Sequence, residues 1–185
     1  MEPIEQLSHI LPAVSTTVGH IVPSQLTGST PCAEFTVQDL LDHLMVGGEM
    51  FAARFRGEEP TPNEHEEVYG VVPAAAFRST MEHLLEAVKS PGAMERTIEA
   101  PIGEVPGSVM AGFAAFDVSM HGLDLARATG QIFELPPAVV DAVDEFARNA
   151  LTPEMRDGDT FKAETTPPAG ASPLEQLAAF SGRSL

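Results

Sequence analysis

The sequence predicts an all-α fold, a four-helix bundle with one or two additional short helices and little or no β structure. Three observations lead there. Apolar residues recur at three- and four-residue steps in five or six stretches of helix length. Clusters of Pro and Gly separate those stretches, and strand-like alternation is nearly absent.

Taken in order, residues 2–20 place Ile4, Leu7, Ile10 or Leu11, Val14 and Val18 on one helix face, and Pro23 closes the stretch. TGSTPCA at 27–33 is loop chemistry. Thr36 reads as an N-cap, with Asp39 where a capping-box acid sits. A second helix is therefore expected over Val37–Arg56, with Leu40, Leu41, Leu44, Phe51 and Phe55 on one face and Gly57 at its end. The acidic stretch 58–72, which holds His65, reads as a solvated surface loop. A third helix follows Pro73 at its first position, carries Phe77, Met81, Leu84, Leu85 and Val88, and stops before Pro91–Gly92. Arg96–Ala100 has extended character through Thr97 and Ile98 but offers no clear pairing partner. The fourth helix starts near Pro106–Ser108 and runs to Thr129, stopped by Gly130, and the fifth spans Pro137–Ala150. A polar loop over 152–172 leads to PLEQLAAFSGR, a short last helix.

The 185 residues amount to one domain, 1–185, on the usual scale of ~100–200 residues. Acidic residues outnumber basic ones 27 to 10, a formal charge of −17, which repels polyanions and makes nucleic acid and anionic membranes poor partners. The single cysteine, Cys32, excludes a disulfide scaffold and fits a reducing compartment. No charge-free apolar stretch of ~20 residues is present to span a bilayer, and MEPIEQLSHI carries acids where a secretory signal carries Lys or Arg. A cytoplasmic protein is expected.

The chemistry concentrates in one helix. Between Pro106 and Ala126 the only formally charged residues are Asp117 and Asp124, and apolar residues occur all round the helical wheel, the pattern of a helix buried on most sides. Asp117, His121 and Asp124 fall at i, i+4 and i+7, within about 60° of one another. Burying an unpaired carboxylate costs several kcal/mol, so these groups need partners. A divalent cation is one such partner; Arg127, Arg148 or another basic residue is the plainer one, giving a hydrogen-bonded polar core.

Acid-x-x-x-His spacing alone is weak evidence in so acidic a chain. It occurs at Glu5/His9, Asp39/His43 and Asp117/His121. The first lies near a chain end and Asp39 already has a capping role; only the third sits in an apolar helix. His43 is the natural third ligand, because the second helix is long enough to pack beside the fourth and His43 flanks its Leu/Phe stripe, with Gly47 and Met50 on the same side.

The blocks STPCAEFTVQDLLDHLMVGGEMFA, DVSMHGLDLARATGQ and ASPLEQLAAFSGR, in that order, resemble a small actinobacterial family within the DinB-like superfamily, related to the metal-binding domain of mycothiol-dependent maleylpyruvate isomerase. The likeness runs from about Leu7 to Arg183. It implies a DinB-like four-helix bundle that often pairs as a homodimer. It also implies a divalent ion held by His43, Asp117 and His121, with zinc first and nickel, iron(II) or manganese also suited to such donors. The related domain usually has Glu where this chain has Asp117, and relatives often have Trp where it has Phe35 and Leu123. The second, separate domain of the full isomerase is absent from these 185 residues.

Three protein ligands leave a coordination position open, as in catalytic metal sites. In the relatives that position is thought to take a low-molecular-weight thiol. The expected function is thus a mycothiol-dependent transferase or isomerase acting on a small electrophile. Asp124 would support the ligands from behind, orienting His121 or fixing Arg127. Two rivals stay open: a metal-dependent hydrolase on the same ligands, and a non-enzymatic metal or small-ligand binding module. Cys32 is expected to be a packed small residue, although a helix N-terminus nearby could activate it. His20 and His83 lie within helices without ligand partners at their spacing, and the methionines are expected to fill the core.

Overall fold

The computed structural model describes residues 1–32, 35–60, 74–100, 103–156 and 161–185. Six α-helices dominate: α1 (Pro3–Gly19), α2 (Val37–Arg56), α3 (Ala74–Val88), α4 (Gly107–Thr129), α5 (Pro137–Ala150) and α6 (Pro173–Phe180). Short 3₁₀ turns cover Pro23–Gln25 and Pro153–Arg156. The fold is all-α and DinB-like, with little β structure. The expectations for 61–72, for His65 and for Pro73 lie outside the described residues.

Local chemistry sets the helix ends. Thr36 Oγ1 accepts from the Asp39 amide at 3.2 Å while the Thr36 amide donates to Asp39 Oδ2 at 2.8 Å, a reciprocal capping box that starts α2. Ser172 and Glu175 build the same device at the start of α6. Gly57 and Gly130 end α2 and α4. His20, expected inside the first helix, is instead the residue that caps it.

One expectation is corrected. The extended segment does have a partner: β1 (Thr97–Ala100) pairs antiparallel with β2 (Gly103–Pro106), matching Ile98 with Val105 and Glu99 with Glu104. The apolar signal is thin, with Ile98 buried and Ala100 and Val105 half-buried, too short a pattern to mark a hairpin in the sequence.

The helices pack as α4 on α1, α1 on α3, α3 on α2 and α2 on α4, with α5 against α4 and α1 and α6 against α5. Leu7, Ile10, Leu11 and Val14 of α1 meet Leu40, Leu41 and Leu44 of α2, Phe77, Met81 and Leu84 of α3, and Ala111, Ala114 and Leu125 of α4 in one core. As its all-round apolar wheel predicts, α4 is buried on nearly every side over Met110–Ala126. It approaches its neighbours closely: a Cβ on Gly122 would lie 2.6 Å from Phe133 Cζ and 2.7 Å from Val14 Cγ2, so no larger residue fits there without movement.

The hairpin ties the end of α2 to the start of α4. Arg96 Nε donates to the Phe55 carbonyl at 3.2 Å, and the Gly107 amide donates to the Arg96 carbonyl at 2.8 Å. The end of α2 therefore lies beside the start of α4. The two helices run antiparallel, which brings His43, early in α2, to Asp117 and His121, late in α4.

Candidate metal centre

His43 on α2 and Asp117 and His121 on α4 present one donor atom each, all within 4.8 Å of one another. The Asp117 carboxylate is shared: Oδ2 lies 3.5 Å from His43 Nε2 and Oδ1 lies 3.3 Å from His121 Nε2. The two imidazoles meet edge to face at 4.9 Å between centroids. Phe35, in the loop before α2, closes one side, its ring 5.5 Å from His43 and 6.1 Å from His121. That loop is pinned by the Val37 amide donating to the Gly28 carbonyl and the Phe35 amide donating to the Cys32 carbonyl. One turn along α2 from His43, Gly47 borders open space, with nothing within 4 Å of where its Cβ would stand.

Burial differs across the cluster. The His121 side chain is 8% exposed, whereas those of His43 and Asp117 keep 39% and 35% of their surface, so these two side chains reach solvent on the α2 side although His43 Nε2 itself is covered. Burial alone would raise the Asp117 carboxyl, but His121 and then His43 hold it well below the usual carboxylate range. Burial likewise favours neutral His121, yet Asp117 and then Asp124 overcome it and lift the imidazole to about 9. Without a cation, Asp117 and His121 are a tight ion pair at neutral pH.

The donor set fits a divalent cation. Its best evidence is His43 Nε2, which is sealed from solvent and makes no hydrogen bond among the described residues; its 3.5 Å approach to Asp117 is too long and poorly aimed. A buried ring nitrogen left in that state costs about 1–3 kcal/mol, and its lone pair is what a cation between the three donors would take up. Two imidazoles and one carboxylate with an open side match three-ligand metal sites of the catalytic type.

Behind the donors stands Asp124, wholly buried. Its Oδ2 lies 3.1 Å from His121 Nδ1. Arg127 is not its partner: that side chain lies on the outside of α4 and pairs with Glu175 of α6. Arg148 pairs with Asp144 one turn away on α5. The guanidinium that neutralises Asp124 is Arg183, whose Nε donates to Oδ1 at 3.0 Å and Oδ2 at 2.9 Å. Sequence reasoning required a basic partner for the α4 carboxylates but had no means of choosing one 59 positions away. The one available signal was a basic residue behind a glycine at the end of a short amphipathic helix.

Cys32, half-buried against the core, lies close enough to His121 and Asp124 to make a second group of donor atoms. Arg183 and His121 already engage the Asp124 oxygens, so a cation there would have to displace the guanidinium. Burial raises the Cys32 thiol above its ordinary value, more than Arg183 lowers it, so it is a protonated, packed thiol at neutral pH. His9, His20 and His83 are exposed. No helix among the described residues is long and apolar enough to cross a membrane.

The family model described as the mycothiol maleylpyruvate isomerase N-terminal domain matches residues 7–126, a span that holds His43, Asp117, His121 and Asp124. Two uncharacterized proteins of Mycobacterium tuberculosis, from strains CDC 1551 and H37Rv, are each 34% identical to the chain over 186 aligned residues, covering 100% of this chain and 100% of theirs. Among solved structures, a histidine-to-alanine variant of the mycothiol-dependent maleylpyruvate isomerase superposes with a TM-score of 0.57 at 17% identity, over 78% of this chain and 68% of that one, a likeness of fold. The chain belongs to the family of the mycothiol maleylpyruvate isomerase N-terminal domain.

Proposed function

We propose that the chain binds a divalent metal through His43, Asp117 and His121 and works as a thiol-dependent transferase or isomerase, with mycothiol as thiol and a small electrophile as second substrate. The observation that carries the reading is the convergence of three donor atoms from two antiparallel helices around a buried, unpartnered His43 Nε2. Membership in a family described by mycothiol supports the choice of thiol. Zinc is the first choice of metal for two imidazoles and a carboxylate.

When bound, a divalent cation supplies Lewis acidity that lowers the pKa of a thiol and holds its thiolate as a nucleophile. The chain does the rest. His43 and His121 anchor from opposite helices, so the packing of α2 on α4 fixes the spacing of the donors. Asp117 contributes negative charge where the incoming cation needs it. Phe35 excludes water from one side of the cluster, which leaves the half-exposed His43–Asp117 side for a ligand to enter.

His43→Ala and His121→Ala should each abolish stoichiometric zinc binding in equilibrium dialysis; if both variants bind as the parent does, the ligand assignment is wrong. Consumption of an electrophile such as maleylpyruvate should require both zinc and mycothiol. Turnover without added thiol would instead make the chain a hydrolase, and zinc binding with no turnover would make it a binding module.

A further inference from the structure

The end of the chain is built into the centre. After α6, Gly182 adopts a left-handed φ of 93°, and a Cβ there would lie 2.9 Å from the Lys162 carbonyl oxygen, so the turn demands glycine. The turn is held at several points. The Gly182 amide donates to the Ala179 carbonyl at 3.0 Å, the Arg183 amide donates to the Ala178 carbonyl at 3.1 Å, and Thr165 Oγ1 donates to the Arg183 carbonyl. It sends the Arg183 side chain back beneath α4, where it is only 11% exposed.

There Nε spans both Asp124 oxygens, one terminal nitrogen donates to Ser181 Oγ at 2.8 Å, and the other lies 3.4 Å from His121 Nδ1. An ionised Asp124 can only accept, so the hydrogen of a neutral His121 belongs on Nδ1, toward Oδ2 at 3.1 Å. The lone pair then stays on Nε2, on the side of Asp117 and His43. Without Arg183, Asp124 would be a buried carboxylate lacking its countercharge.

We propose that Arg183 is a positioning residue for the metal centre: through Asp124 it fixes the orientation and tautomer of His121, so that docking of the 181–183 turn and binding of the cation favour each other. The inference rests on the metal-centre reading and adds a structural requirement beyond the three ligands. Coupling of this kind is reciprocal: what the docked turn adds to cation affinity, the cation returns to the turn. Supports of ligating histidines commonly change metal affinity by about 10–100-fold when removed.

The test uses the full chain with Zn²⁺ and with Co²⁺ as an optical probe. Arg183→Met should weaken zinc binding by about 10–100-fold and shift the visible absorption of the cobalt form at saturating cobalt, because His121 then reaches the ion in a different orientation. A folded Arg183→Met chain with the parent's zinc affinity and cobalt spectrum overturns the proposal. If that variant does not fold, hydrogen exchange on the unaltered chain decides: zinc should slow exchange of the Gly182 and Arg183 amides by about the same factor, and unchanged rates overturn it. A parent chain that binds neither ion overturns the metal-centre reading and this inference together. A parent that binds zinc beside an Arg183→Met chain that matches it in both zinc affinity and cobalt spectrum overturns this inference alone.

Discussion

Of the three helices that carry acid-x-x-x-His spacing, α1 and α4 show opposite outcomes. On α1, Glu5 and His9 both face solvent, while on α4 Asp117 and His121 sit in a largely apolar helix, joined at 3.3 Å and met by His43 from α2. The spacing places an acid and a histidine on one face of either helix. What separates the two is the surroundings of that face. Where water solvates both groups, each keeps to itself; where it does not, they must find partners, and the fold supplies His43 on one side and the Asp124–Arg183 pair on the other.

Substitution can test this contrast at every strength. The largest effect is expected from Asp117→Asn, which removes the shared charge and should eliminate zinc binding, whereas Glu5→Gln should leave it unchanged; calorimetric titration of both variants reads the difference. Next, Asp124→Ala strands Arg183 in the interior and should cost about 3–5 kcal/mol of folding stability in urea titrations. Arg127→Ala breaks the outlying pair with Glu175 and should cost about 0–1 kcal/mol. Gly122→Ala, which forces a methyl against Phe133 and Val14, should cost about 1–3 kcal/mol. The smallest effect is expected from His9→Ala, within about 0.5 kcal/mol.

Proton linkage separates the two helices as well. The folded chain holds the His121 proton with a pKa of about 9, above the ordinary 6.5, so the stability this contributes is complete below about pH 6.5 and is lost as pH rises through 9. Thermal unfolding of the metal-free protein should therefore show a midpoint that falls across that window, and His121→Gln should flatten the trend. The same proton competes with a cation for Nε2. Zinc affinity should rise with pH up to about 9, and binding near pH 7.5 should release about one proton, measurable by calorimetry in buffers of different ionisation enthalpy.

Much of the fold was legible because its determinants are local. Thr36 with Asp39, Gly57 and Gly130 mark helix ends within a few residues, and the all-round apolar wheel of 106–126 announces a central helix without reference to anything distant. The hairpin was only half legible, since a strand of four residues with one buried side chain carries little periodicity. In the site, the face shared by Asp117, His121 and Asp124 follows from spacing. The partner of Asp124 does not, because Arg127 and Arg148 are nearer in sequence but are taken by Glu175 and Asp144, while the position of Arg183 depends on a turn after α6 packing under α4. Cys32 sits beside the centre for the same kind of reason: a loop pinned by backbone hydrogen bonds carries it there.

The asymmetry between Phe35 and Gly47 bears on what the centre can discriminate. An aromatic ring packs against both imidazoles at one side, while one turn beyond His43 the glycine borders open space with no side chain in it. If the centre takes a small ligand as proposed, a side chain at position 47 would narrow that side without touching a donor atom. The size of residue 47 is thus a variable that can be changed independently of His43, Asp117 and His121.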